Sequence, residues 1–182
     1  PFTITSTGST SVSIGTTGSP ADITLEYRKG TDSWDAYTIG AAVALLNGDY
    51  IQFRAGEGGN ESFSTSEFAY YNINVSGEGT VNLSGNIMSL LDRSLLKDSV
   101  PSYAFCRFCN SEKIVDASNL KLPATALANN CYCAMFCNCT SLTTAPELPA
   151  TTLAEFCYSD MFKRCTSLTT APELPATTLA NC

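Results

Sequence analysis

Four thiols stand within nine residues at Cys131, Cys133, Cys137 and Cys139, in the run CYCAMFCNC, and Cys106 and Cys109 form a Cys-x-x-Cys upstream. Thiolates at such spacing can close tetrahedrally around zinc. The next copy of the segment speaks against that use. It has Ser159 and Lys163 in place of Cys133 and Cys137, while Cys131 and Cys139 recur as Cys157 and Cys165. The recurring pair belongs to the spine of the segment, so neither metal nor other cofactor is expected.

Disulfide formation is the second chemistry these residues could do. Along a continuous helix, Cys157 and Cys165 would stand about 12 Å apart, too far to bridge. Pairing between neighbouring units, such as Cys109 with Cys137, has only to cross the roughly 5 Å between adjacent strands. The first unit carries Tyr103 and Ser111 where the spine cysteines are expected. Their joint loss fits a bonded pair, and it fits two small buried residues exchanged together; the balance tilts to buried thiols.

Nucleophilic catalysis is the third. The chain has no histidine, so a cysteine nucleophile would lack its usual base and a metal its commonest ligand. Glu147 and Glu173 occupy equivalent, solvent-facing positions in successive units. The run GEGGN (Gly56–Asn60) lacks the Lys-Ser/Thr and the strand–helix setting of a phosphate loop. No enzyme is expected.

The elements that position the thiols come from repetition. The sixteen residues CTSLTTAPELPATTLA occur identically at Cys139–Ala154 and Cys165–Ala180. Cys131, Met135, Phe136, Cys139, Leu142, Leu148 and Leu153 recur 26 residues on as Cys157, Met161, Phe162, Cys165, Leu168, Leu174 and Leu179. An earlier, degenerate unit starts near Tyr103, with Phe108 and Ile114 standing 28 residues before Phe136 and Leu142. A period of 26 falls in the range of leucine-rich solenoids, whose units bury apolar faces only by stacking. The strand of each unit is placed at SLTTA, ending by Pro146 or Pro172, with CYSDMFKR returning as a short helix or turn.

The cysteine-free first half has another rhythm. FTITST, SVSIG, ITLEYRKG, WDAYTIG, YIQFRAG, AYYNINVSG and TVNLSG read as about seven short strands divided by Gly, Asn, Asp and Ser. Their number and spacing suit an immunoglobulin-like β-sandwich over residues 1–85. Trp34, the single tryptophan, is assigned to its core, the alternative being a ring displayed to a ligand. In NIMSLLDRSLLKDSV, Ile87, Leu90 and Leu91 have helical spacing, so residues 86–102 are read as a short amphipathic helix joining or capping the domains. Residues 103–182 form the solenoid: one degenerate unit, two full ones and the start of a fourth. The fold class expected is mainly β.

The segment CYSDMFKRCTSLTTAPELPATTLA resembles the repeats of the BspA-like leucine-rich-repeat family of bacterial surface proteins. The first half, with LEYRKGTDSW, GDYIQFR and SGNIMSLLD, resembles the β-domain placed ahead of such arrays. The resemblance implies an extracellular or cell-surface protein engaged in adhesion or host interaction. The use of APELPATTL departs from the plainer strand of many relatives and leaves the strand position open.

The charge of −7 and pI near 4.4 exclude the basic footprint that nucleic acid requires. No run approaches the roughly 18 apolar residues of a membrane span. The expected function is therefore binding or adhesion to a protein or glycan on a host or neighbouring cell. The surface assigned to it is the set of positions at which the units differ: Asn129, Asn130, Glu155, Phe156, Ser159, Asp160, Lys163 and Arg164. Phe156 is its chief anchor, since an exposed aromatic suits an interface; drift on a solvated face is the competing explanation. The alternative function is structural assembly, as a filament subunit or a phage tail or fibre component, through an uncapped solenoid end.

Overall fold

The computed structural model describes residues 1–177 and Ala180. Among the described residues eleven strands run in the order β1 (Phe2–Ser6), β2 (Thr10–Thr17), β3 (Leu25–Lys29), β4 (Asp35–Tyr37), β5 (Val43–Leu45), β6 (Tyr50–Ala55), β7 (Tyr70–Gly77), β8 (Val81–Asn86), β9 (Ser99–Val100), β10 (Ile114–Lys121) and β11 (Ala126–Leu127). Period-two alternation makes the first of these: Phe2, Ile4 and Ser6 are buried, with Thr3 and Thr5 on the wetter face. All seven alternating runs of the first half carry a strand.

The strands form three sheets, ordered β10-β8-β1-β6-β3-β4, β5-β2-β7 and β11-β9. The six-stranded sheet is antiparallel except at its end, where β10 joins β8 in parallel through two register shifts. At Gly85 (φ +80°) an added Cβ would strike the Pro1 carbonyl, so glycine is required where β8 passes the start of β1.

Two expectations are overturned here. The architecture is neither an immunoglobulin-like sandwich nor a leucine-rich-repeat solenoid, but a mostly β fold of three sheets, one mixed, one antiparallel and one parallel, that do not close into a barrel. The largest sheet draws its edge strand from the repeat half, which a sandwich confined to residues 1–85 cannot accommodate. In the repeats, SLTTA makes no strand among the described residues; it contributes one isolated bridge, Thr144 to Asp116. Pro146 and Pro149 remove donors close behind it, so a ladder has nowhere to propagate. The return segments are turns, and the described residues contain no α-helix.

The segment read as an amphipathic helix holds only a single 3-10 turn, Ile87–Leu90, whose four residues are all buried. Asn86 Oδ1 accepts from Met88 N at 2.9 Å to start it. Beyond it, Asp92 accepts from the backbones of Ser94, Leu96 and Lys97, turning the chain before a second helical turn can form. Trp34 is also misplaced by the sequence reading. It is half-buried, outside the core, with the Arg28 and Arg54 guanidinium carbons 4.8 and 4.0 Å from its ring centroid.

One apolar core runs through both halves. Phe108 lies 5.6 Å from Phe2 and 5.1 Å from Phe63, ring centre to ring centre, and Phe63 meets Phe105 at 5.7 Å. Backbone bonds follow the same seam: Ile73 N donates to Phe108 O, and Val81 N to Lys113 O, both at 2.9 Å. The repeat half is thereby fixed to the sheets at its first unit.

Candidate interaction surface on the stacked turns

Each unit contains a chain of overlapping four-residue turns. In the first, Ala104, Cys106 and Phe108 donate to the carbonyls three residues back, at Pro101, Tyr103 and Phe105. The alternate amides, of Tyr103, Phe105, Arg107 and Cys109, donate instead to Asn129, Cys131, Cys133 and Met135 of the second unit at 2.8–3.2 Å. The second unit repeats this on the third: Asn130, Tyr132, Ala134, Phe136 and Asn138 donate to Glu155, Cys157, Ser159, Met161 and Lys163 at 2.8–3.0 Å. Every amide in these runs is therefore satisfied, half within a unit and half between units.

Side chains line up accordingly. Phe105, Tyr132 and Tyr158 form a column with rings 5.9 Å apart and nearly parallel, and Phe136 stacks on Phe162 at 5.6 Å. The register corrects one detail of the repeat alignment. Phe105 meets Tyr132, an offset of 27, so Phe108 corresponds to Met135 rather than to Phe136. The offset becomes 28 from Ser111–Cys139 and Ile114–Leu142 onward, through to the bridge Asp116–Thr144. At the turns, Ala104 therefore occupies the place of Cys131 and Cys157, and the first unit has lost a cysteine to another small apolar residue. The partners Leu153 and Leu179 cannot be compared, since Leu179 lies outside the described residues.

A left-handed backbone recurs every fourth residue: Tyr103 and Arg107, then Asn130, Ala134 and Asn138, then Phe156, Asp160 and Arg164, all with φ between 51° and 64°. None is glycine, although this is the conformation that ordinarily calls for it. Each such residue costs on the order of 1 kcal/mol, offset here because its amide, in the first two units, is claimed by the next unit. Of these residues Ala134 is buried, Tyr103, Arg107, Asn130 and Asn138 are half-buried, and Phe156, Asp160 and Arg164 are exposed.

This geometry places all eight residues of the sequence-derived surface. Asn130, Phe156, Asp160 and Arg164 are left-handed positions, and Asn129, Glu155, Ser159 and Lys163 are the residues just before them, whose carbonyls accept the bonds between units. Asn129, Asp160, Lys163 and Arg164 are exposed; Asn130, Glu155 and Ser159 are half-buried. Phe156 is 39% exposed. Lys163 Nζ lies 2.9 Å from Asp160 Oδ2, leaving Arg164 without a carboxylate partner among the described ion pairs. The left-handed columns bring Tyr103, Asn130 and Phe156 to one line and Arg107, Ala134 and Asp160 to another.

Sequence reasoning missed Tyr103 and Arg107, which continue this face into the first unit. A signal was available: the units differ at 129–130, 133–134 and 137–138, pairs repeating every four residues, the period of the turns.

The thiols sit mainly inside. Cys139 Sγ donates to Cys109 O at 2.8 Å and Cys165 Sγ to Phe136 O at 3.1 Å. Burial pushes the Cys131 and Cys109 thiols up and takes Cys139 to about 12. Cys106, Cys109, Cys131, Cys137 and Cys139 are buried free thiols, and Cys133 is a half-buried one. No group of three or more potential metal ligands gathers among the described residues. Glu147 and Glu173 are exposed and border an open, proline-lined cleft of about 420 Å³ together with Pro146, Leu148, Pro172 and Pro175. No described helix is long and apolar enough to cross a membrane.

No protein-family model, curated protein or solved structure matches the chain.

Proposed function

We propose that this chain is a binding or adhesion protein, acting outside the cell or on its surface, and that its stacked turns present side chains to a protein or glycan partner. The observation that carries this reading is the coincidence of two independent patterns. The positions that differ between otherwise matching units are the left-handed positions and the residues just before them, so variation avoids the stacked rings and, Ala134 and Cys137 apart, falls on half-buried or exposed side chains. Phe156 supplies an aromatic contact, with Asp160 and Arg164 beside it at four-residue spacing for charged or hydrogen-bonded recognition. Catalysis forms no part of the reading, nor do nucleic acid and a bound cofactor.

The test is a glycan and protein array probed with the intact chain and with the variant F156A/D160A/R164A. Binding by the parent that falls at least tenfold in the variant, with the melting temperature held, supports the reading. Equal binding by both on every ligand removes it. Light scattering over a concentration series adds a second arm: growth in particle size would favour the structural-assembly reading.

A further inference from the structure

Cys106 and Cys133 are neighbours in adjacent units, one column away from the stacked rings of Phe105 and Tyr132. The bonds Phe105 N to Cys131 O (2.8 Å) and Arg107 N to Cys133 O (3.0 Å) flank them and hold their backbones at the spacing of paired strands, about 4.8 Å. That lies within the Cα separation a disulfide accepts. Their side chains interact closely enough to shift each other's acidity in opposite directions. Cys106 is fully buried and Cys133 half-buried, so Cys133 is the more accessible residue of the pair. Arg107 stands beside them, its Nε buried and without a hydrogen-bond partner among the described residues, and its guanidinium 5.9 Å from the Tyr70 ring.

We infer that Cys106 and Cys133 form a redox-active dithiol, with Cys133 as attacking and Cys106 as resolving sulfur, that exchanges with small-molecule disulfides. The two thiols are unequal in the required sense. The interaction with Cys106 and the Arg107 charge draw Cys133 down to about 7, against the opposing effects of burial and of Glu67 and Asp160. The same interaction, with burial, pushes Cys106 up. In the first step Cys133 thiolate attacks one sulfur of a disulfide RSSR; the Cys133–SR bond forms, the S–S bond breaks, and RS⁻ leaves. In the second, Cys106 gives up its proton and attacks Cys133 Sγ, forming Cys106–Cys133 and expelling the second RS⁻. The protein loses two electrons and two protons, and RSSR takes up both to become two RSH. The third unit has Ser159 in this column, so the chemistry is confined to the first two units.

The experiment treats the reduced full-length chain with oxidised glutathione, followed by mass spectrometry and peptide mapping. Expected is a loss of two hydrogens with the new bond between Cys106 and Cys133. In Cys106→Ser, a glutathione adduct should accumulate on Cys133. Cys133→Ser copies the residue native to this column in the third unit, and it should take up neither the bond nor the adduct at Cys106. Iodoacetamide should alkylate Cys133 of the parent roughly tenfold faster at neutral pH than any buried thiol. A bond mapped first to another pair, no oxidation at all, or a Cys106→Ser variant oxidised in the parent's manner would each overturn the inference.

Discussion

Replacing Tyr132 by phenylalanine should stabilise the protein, against the usual direction of a core substitution. The Tyr132 ring is wholly buried between Phe105 and Tyr158, 5.9 Å from each, and its hydroxyl has no hydrogen-bond partner among the described residues. A buried hydroxyl without a partner costs about 1–3 kcal/mol relative to water. Tyr132→Phe removes that cost and keeps the stacking; the void left by one oxygen returns somewhat under 1 kcal/mol. The net expectation is a gain of roughly 1 kcal/mol, or about 2–4 °C in melting temperature for a chain of this size. Urea denaturation followed by circular dichroism at neutral pH gives the difference directly. The mirror variant Phe105→Tyr introduces a hydroxyl one unit earlier in the same column and should destabilise. A Tyr132→Phe variant weakened by 1 kcal/mol or more would refute the reasoning, because the hydroxyl would then be bonded.

Four further outcomes follow. Phe136→Ala should cost about 3–5 kcal/mol in chemical denaturation, since its fully buried ring stacks on Phe162. At Phe156 (φ +54°), Phe156→Gly should change stability by no more than about 1 kcal/mol in either direction, while Phe156→Val should lose about 1–2 kcal/mol because a β-branched residue resists this conformation; thermal melts of the pair separate the two. Gly85→Ala should destabilise by more than about 2 kcal/mol, read by the same melts, because both its φ and the Pro1 carbonyl forbid a Cβ. The alkylation rate of Cys133 should rise with pH through a midpoint near 7, since only the thiolate reacts. Removing the interaction with Cys106 in Cys106→Ala, which leaves no donor at the position, should move that midpoint upward, toward the ordinary thiol value of about 8.5.

The strands of the first half were legible because alternation is local: Phe2, Ile4, Ile51 and Phe53 declare their face within a few residues. The three-residue β5 was not, being too short to alternate and followed by the exposed Leu46. Sheet order was not legible either. The parallel contact of β10 with β8 is decided by packing of Phe105 and Phe108 on Phe63 and Phe2, a contact distant in sequence. The repeat itself was plain from identity, and so were the residues that vary on it. Its conformation was hidden for a physical reason. Turns with left-handed positions normally advertise themselves through glycine, and the eight such positions here carry Tyr, Arg, Asn, Ala, Asn, Phe, Asp and Arg, the first five with their amides bonded to the neighbouring unit. Prolines in the constant block suggested where a strand should end, yet they border a segment that makes only one bridge. The thiol pair escaped notice because Cys106 and Cys133 are 27 residues apart, and the alignment at 28 set each opposite the wrong neighbour.

Scalar coupling across hydrogen bonds, measured by NMR on labelled protein, tests the stacking of the turns most directly. Amide nitrogens of Tyr132, Ala134 and Phe136 should couple to the carbonyl carbons of Cys157, Ser159 and Met161 respectively. Couplings to carbonyls displaced by one residue, or none between these units, would contradict the account.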